Sequence, residues 1–205
     1  MTAEGNELAQ LTAAIFHAIG RNLMVLQEME SMLRSMVIPS ELSGPASQLA
    51  ALQKKRAKRL KNAGLGSLAG HFADKILTKP AIKDKDEIPE VREPHFSFSF
   101  SFDREPADAA ARKKRLSITV KRRNKLVHGI HDVWSRDSIE SSRSLLQRLE
   151  DEHQESLGEL QLLRVESEAF QKIRMEVAAL IRGADFKRAL SEALRTDDGS
   201  ESGPP

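Results

Sequence analysis

The chain has 205 residues, 40% of them apolar and 30% charged, with a net charge of +2. That length carries one domain with a real core, and the near-neutral balance excludes a bulk polycation. With no cysteine, disulfides and thiolate metal sites are excluded, and a chain that is 4% aromatic and lacks tyrosine makes a poor base-stacking platform.

In chain order, residues 7–37 are predicted to form one long amphipathic helix. Leu8, Leu11, Ile15, Ala18, Ile19, Leu23, Leu26, Met29, Leu33 and Met36 recur at helical spacing. Pro39, Ser43, Gly44 and Pro45 stop it. The methionines in this stripe read as core.

A second helix is predicted over 45–62, with Pro45 in its first turn and Gly64 beyond its end. Its second half carries Lys54, Lys55, Arg56, Lys58, Arg59 and Lys61 with no intervening acid. Such a run is either a solvated face or a phosphate-contacting patch. A short helix over 66–77 follows.

The segment 78–106 breaks the helical pattern with four prolines. Inside it, His95-Phe96-Ser97-Phe98-Ser99-Phe100-Ser101-Phe102 alternates strictly, which predicts a strand with one phenylalanine face. A lone strand leaves its backbone unpaired, so a partner is required. Residues 88–92 offer a hairpin mate, and another chain is the alternative. The phenylalanines are expected to pack on helices rather than on bases.

Helical pattern returns over 107–129, with Gly129 at its end. A further start lies at Asp137, with Glu140 three residues on as a capping box. Apolar spacing then continues to about Arg182, as one very long helix or as two divided at Gly158. A last short helix is predicted over 185–194, and 196–205 reads as a disordered polar tail. The fold class expected is mainly α, an antiparallel helical bundle. It occupies 1–195 as a single domain, with 78–106 inserted as a β-arm.

The block that carries chemistry is Lys121-Arg122-Arg123-Asn124-Lys125-Leu126-Val127-His128-Gly129. Upstream, Arg112, Lys113, Lys114 and Arg115 add to its basic surround. RNA cleavage needs a group to take the 2′-hydroxyl proton, a group to protonate the leaving oxygen, and positive charge on the phosphorane. Histidine titrates near neutrality, which suits His128 to acid or base. Arginine presents a permanently charged fork to phosphate oxygens, which suits Arg123 to transition-state stabilisation. Asn124 lies four residues from His128, on the same helical face, where it can orient either partner.

This block resembles the motif of the HEPN superfamily: an arginine, then a polar residue that is often asparagine, then a histidine a few residues on. Arg123, Asn124 and His128 match those positions, and the apolar pair Leu126-Val127 and Gly129 fit as well. The resemblance implies a helical bundle and a cofactor-free, metal-independent endoribonuclease. It also implies a homodimer whose two motifs line one cleft, acting as a toxin with an antitoxin partner or as a phage-defence effector. Lys121, Arg122 and Lys125, with Lys54, Lys55, Arg56, Lys58 and Arg59, are then expected to hold the RNA backbone.

Spacing alone is weak, because Arg148 and His153 share it. There Glu150, Asp151 and Glu152 intervene and would repel phosphate, so that pair is expected on a solvated face. His17 is expected against the core. Two rival readings stand beside the nuclease: a non-catalytic HEPN-like scaffold, and a nucleic-acid-binding protein without catalysis. The start of the chain shows no signal-peptide pattern and no apolar run long enough to span a bilayer, so a cytoplasmic protein is expected.

Overall fold

The computed structural model describes residues 3–78 and 95–197. Helix α1 spans Ala3–Val37 and is followed by strand β1 (Glu41–Pro45), a 3-10 turn (Ala46–Gln48), α2 (Leu49–Leu60) and α3 (Leu65–Lys75). Strand β2 (His95–Ser99) leads to α4 (Pro106–His128), α5 (Ile130–Val133), α6 (Ile139–Arg182) and α7 (Ala184–Asp197). The protein is mainly helical with a small antiparallel sheet. Among the described residues, no helix is long and apolar enough to cross a membrane.

The framework is the pairing of α1 with α6. Ile15, Ala18, Asn22, Val25, Met29, Leu33 and Met36 form the buried seam of α1. Leu145, Leu149, His153, Ser156, Leu160, Leu163 and Phe170 form that of α6. Both seams advance by three and four residues, the spacing that keeps one stripe facing a partner helix. Asn22 donates from Nδ2 to the carbonyls of Ala18 and Leu149, both at 3.0 Å, which pins the register.

The two helices run parallel: Glu7 pairs with Arg143 near their starts, and Glu28 with Arg164 further along. The expected antiparallel relation holds for α4. It pairs Arg112 with Glu166 and Arg122 with Glu155 on α6, and Lys113 with Asp74 on α3.

Helix α6 is continuous through Gly158, so the break allowed there does not occur. Its N-cap is Ser138, whose side chain accepts from the Ser141 N–H, rather than Asp137. With Glu28 level with Arg164, Val37 falls level with about residue 173, so the last turns of α6 outrun α1.

Strand β2 pairs with β1, in the register Leu42 to Phe98 and Gly44 to Phe96. The mate seen among the described residues is thus β1, and the expected hairpin mate 88–92 lies outside them. The helix expected over 45–62 loses its first turn to this sheet and to the 3-10 turn. Beyond the strand, the Phe100 N–H donates to Ser40 O at 2.8 Å and the Phe102 N–H to Ile76 O at 2.7 Å. The phenylalanines pack on the helical body as expected. Phe100 meets Phe170 edge-on with centroids 4.6 Å apart, and Phe102 meets Phe72 at 6.5 Å. Residues 196 and 197 complete α7, and 198–205 lie outside the described residues.

Candidate functional site

Helix α4 begins with Pro106, which has no N–H to leave unsatisfied in the first turn. Its buried stripe is Ala109, Arg112, Leu116, Thr119 and Leu126. Arg123 is in phase with that stripe, four residues after Thr119 and three before Leu126, and is half-buried. Lys121, Asn124, Lys125 and His128 are exposed.

Arg123 Nη1 donates to Asn124 Oδ1 at 3.3 Å, which leaves the Asn124 amide nitrogen free to point outward. His128 makes no hydrogen bond or ion pair among the described residues. On a helix Arg123 and His128 are about 140° apart, so one copy of α4 turns them toward different directions. The apolar pair divides: Leu126 is buried and anchors the helix, whereas Val127 is exposed beside His128. Helix α4 ends as the Gly129 N–H donates to Lys125 O at 2.8 Å. Lys125 and His128 in this last turn complement the negative end of the helix dipole.

The remaining basic residues separate into free and engaged groups. Lys54, Lys55, Lys58 and Arg59 are exposed on α2 and make no ion pair among the described residues. Arg56, one of the expected phosphate contacts, is engaged within the fold. Its guanidinium pairs with Glu41 at 3.2 Å and donates to Val37 O at 3.0 Å, fastening α2 to the end of α1. Arg122 is likewise engaged, by Glu155 across the α4–α6 groove. Arg112 and Arg115, upstream, are bound by Glu159 and Glu166.

The start of α3 packs on α4, where a Cβ on Gly66 would come within 3.3 Å of Val120 Cγ1. On α2, Lys55 and Arg59 flank Glu41 and Ser43 beside β1.

The second Arg-to-His spacing proves to be structural in another way than expected. His153 is not solvated: it sits in the α6 seam, 9% exposed, and its Nδ1 has no hydrogen-bond partner among the described residues. Conversely, His17 is exposed on α1. Trp134 is a residue that the pattern of charges did not single out. It is buried just after α5, donates from Nε1 to Ser142 Oγ at 3.0 Å, and meets Phe16 edge-on at 5.7 Å. It fixes the chain immediately after the motif to both long helices. Its being the one tryptophan of the sequence was the available signal.

Comparison with protein-family models, with curated proteins and with solved structures finds no match for this chain.

Proposed function

We propose that the protein is a metal-independent endoribonuclease of the HEPN type, working through Arg123, Asn124 and His128 at a homodimer interface. The observation that carries this reading is the state of His128. It is exposed and without a partner among the described residues, one turn from Asn124, at a helix end where Lys121 and Lys125 are also exposed.

The chemistry is in-line transesterification. One His128 accepts the 2′-hydroxyl proton as the oxygen attacks phosphorus; the 5′-oxygen leaves and takes a proton from a second His128, giving a 2′,3′-cyclic phosphate. Arg123 stabilises the charge on the phosphorane. Because one helix splays Arg123 and His128, two α4 helices must face each other to surround a phosphate, and exposed Val127 supplies apolar contact beside them. A role as toxin with an antitoxin partner, or as phage-defence effector, follows the resemblance of the motif.

The test is incubation of the purified protein with structured and unstructured RNA in excess EDTA. Cleavage is expected from the wild type and is lost in His128→Ala and Arg123→Ala with circular dichroism unchanged. Cleavage surviving in both variants removes the site. Salt-sensitive binding without cleavage leaves a nucleic-acid-binding protein, and neither activity leaves a helical scaffold.

A further inference from the structure

Where α6 outruns α1, an apolar groove of about 770 Å3 opens at the end of the bundle that carries the sheet. That lies within the ~300–1,000 Å3 typical of small-ligand sites. Leu42, Phe96 and Phe98 form its floor, and Val177, Ile181 and Phe186 form the opposite wall. The strand thus divides its phenylalanines. Phe100 is buried in the core and Phe102 packs half-buried against it, whereas Phe96 and Phe98 are half-buried and line the groove. The walls hold their separation because Phe96 meets the Phe186 ring, centroids 6.4 Å apart, and because Gly183 divides α6 from α7.

Charge around this groove is one-sided. The carboxylate of Glu41 is taken by Arg56 at 3.2 Å and by Lys75 at 3.7 Å. Arg174 and Lys187 also line the groove, are exposed, and meet no carboxylate among the described residues. Arg174 Nη1 donates to Gln171 Oε1 at 3.2 Å, and its guanidinium lies 5.8 Å from the Phe170 centroid, so its remaining donors stay available.

We infer that this groove binds a single-chain amphiphile with an anionic head, of the long-chain carboxylate class. The alkyl chain lies between the phenylalanine face of the sheet and the α6–α7 wall. The carboxylate meets Arg174, whose planar fork matches its two oxygens, and Lys187. A cationic amphiphile is repelled by the same pair. A short carboxylate satisfies the charges but leaves the apolar walls wet.

The experiment titrates the full-length protein with dodecanoate below its micellar concentration, by calorimetry, with dodecyltrimethylammonium and butyrate as controls. Saturable binding at one site is expected, with both controls weaker by at least about tenfold. Ala178→Trp fills the groove from α6, and Lys187→Glu reverses charge at the lip. Each is expected to weaken dodecanoate by at least about tenfold with circular dichroism unchanged. No saturable binding, equal uptake of the cationic amphiphile, or binding unchanged in both variants overturns the inference. So does a dimer, seen by sedimentation, that Ala178→Trp disperses in a protein that does not take up dodecanoate, since a second copy then fills the groove.

Discussion

Arg112 on α4 is buried against Glu166 on α6, its Nε and Nη2 donating to the two carboxylate oxygens at 3.1 and 3.0 Å. The third nitrogen, Nη1, donates to Glu159, and Arg104 closes the network by donating to Glu166 at 2.8 Å. A fork-to-carboxylate pair of this kind has one geometry, so it selects how α4 lies on α6. Removing Arg112 leaves the buried carboxylates of Glu166 and Glu159 only their part-exposed partners, Arg104 and Arg115, a loss bounded by the about 3–5 kcal/mol of a fully broken buried pair. Arg112→Met is expected to lower the urea midpoint accordingly. Arg104→Gln, at a part-exposed pair, should cost about 0–1 kcal/mol. A midpoint for Arg112→Met within error of the wild type would show that the network does not hold the helices.

Phe100 and Phe170 give a second measure of how the sheet is attached. Both are buried and meet edge-on, so Phe100→Ala removes a ring from a packed site and is expected to cost about 3–5 kcal/mol. Phe96 borders the open groove, and Phe96→Ala should cost less than half as much in the same denaturation series. Equal losses would mean that the groove is closed in solution.

Two glycines should respond in opposite directions. Gly158 lies on the exposed side of α6 with nothing near the position of a Cβ, so Gly158→Ala should stabilise by about 0.5–1 kcal/mol. Gly44 has φ of 156°, and a Cβ there would run into the Leu52 side chain. Gly44→Ala should destabilise, because strain and overlap act together. Thermal unfolding of the pair checks both signs.

The same contrast shows what the sequence made legible. Helices α1, α4 and α6 are written in their own spacing, since each buries a stripe that recurs locally. Strand β2 is equally plain, because four phenylalanines alternate with serines. Its partner is not, since Glu41–Pro45 holds one large apolar residue and two turn-formers, and the paired residues lie fifty or more positions apart. Charge was the least legible property. Arg56 and Arg59 look alike in the sequence, but only the structure places Glu41 against the first. His153 departs from expectation for the same reason: its three acidic neighbours are exposed or half-buried, while its own position falls on the seam. The helix that carries Arg123, Asn124 and His128 was legible, and its geometry turns Arg123 and His128 about 140° apart.

That geometry predicts a dependence on association. If two motif helices surround each phosphate, RNA cleavage per chain falls as the protein is diluted below its dimer dissociation constant, and rises again on concentration. Cleavage rates should be read beside sedimentation velocity over the same range. A constant rate per chain in samples that sediment wholly as monomer would rule out a shared site.

The basic run on α2 supplies the sharpest separation of roles. Lys54, Lys55, Lys58 and Arg59 are exposed, so changing all four to glutamine should leave stability within about 0.5 kcal/mol of the wild type. If they track an RNA strand, the plot of log affinity against log salt becomes shallower by about 0.7 for each phosphate that is no longer neutralised. Arg56→Gln should do the reverse. It removes the bonds to Glu41 and Val37 O at a mostly buried side chain, so about 1–3 kcal/mol of stability goes, while the salt slope stays. If the fourfold variant keeps the wild-type slope, α2 is a solvated face and RNA binding is confined to Lys121, Lys125 and the motif itself. If Arg56→Gln alone flattens the slope, the ion pair with Glu41 opens when RNA binds, and this arginine joins the RNA-binding surface after all.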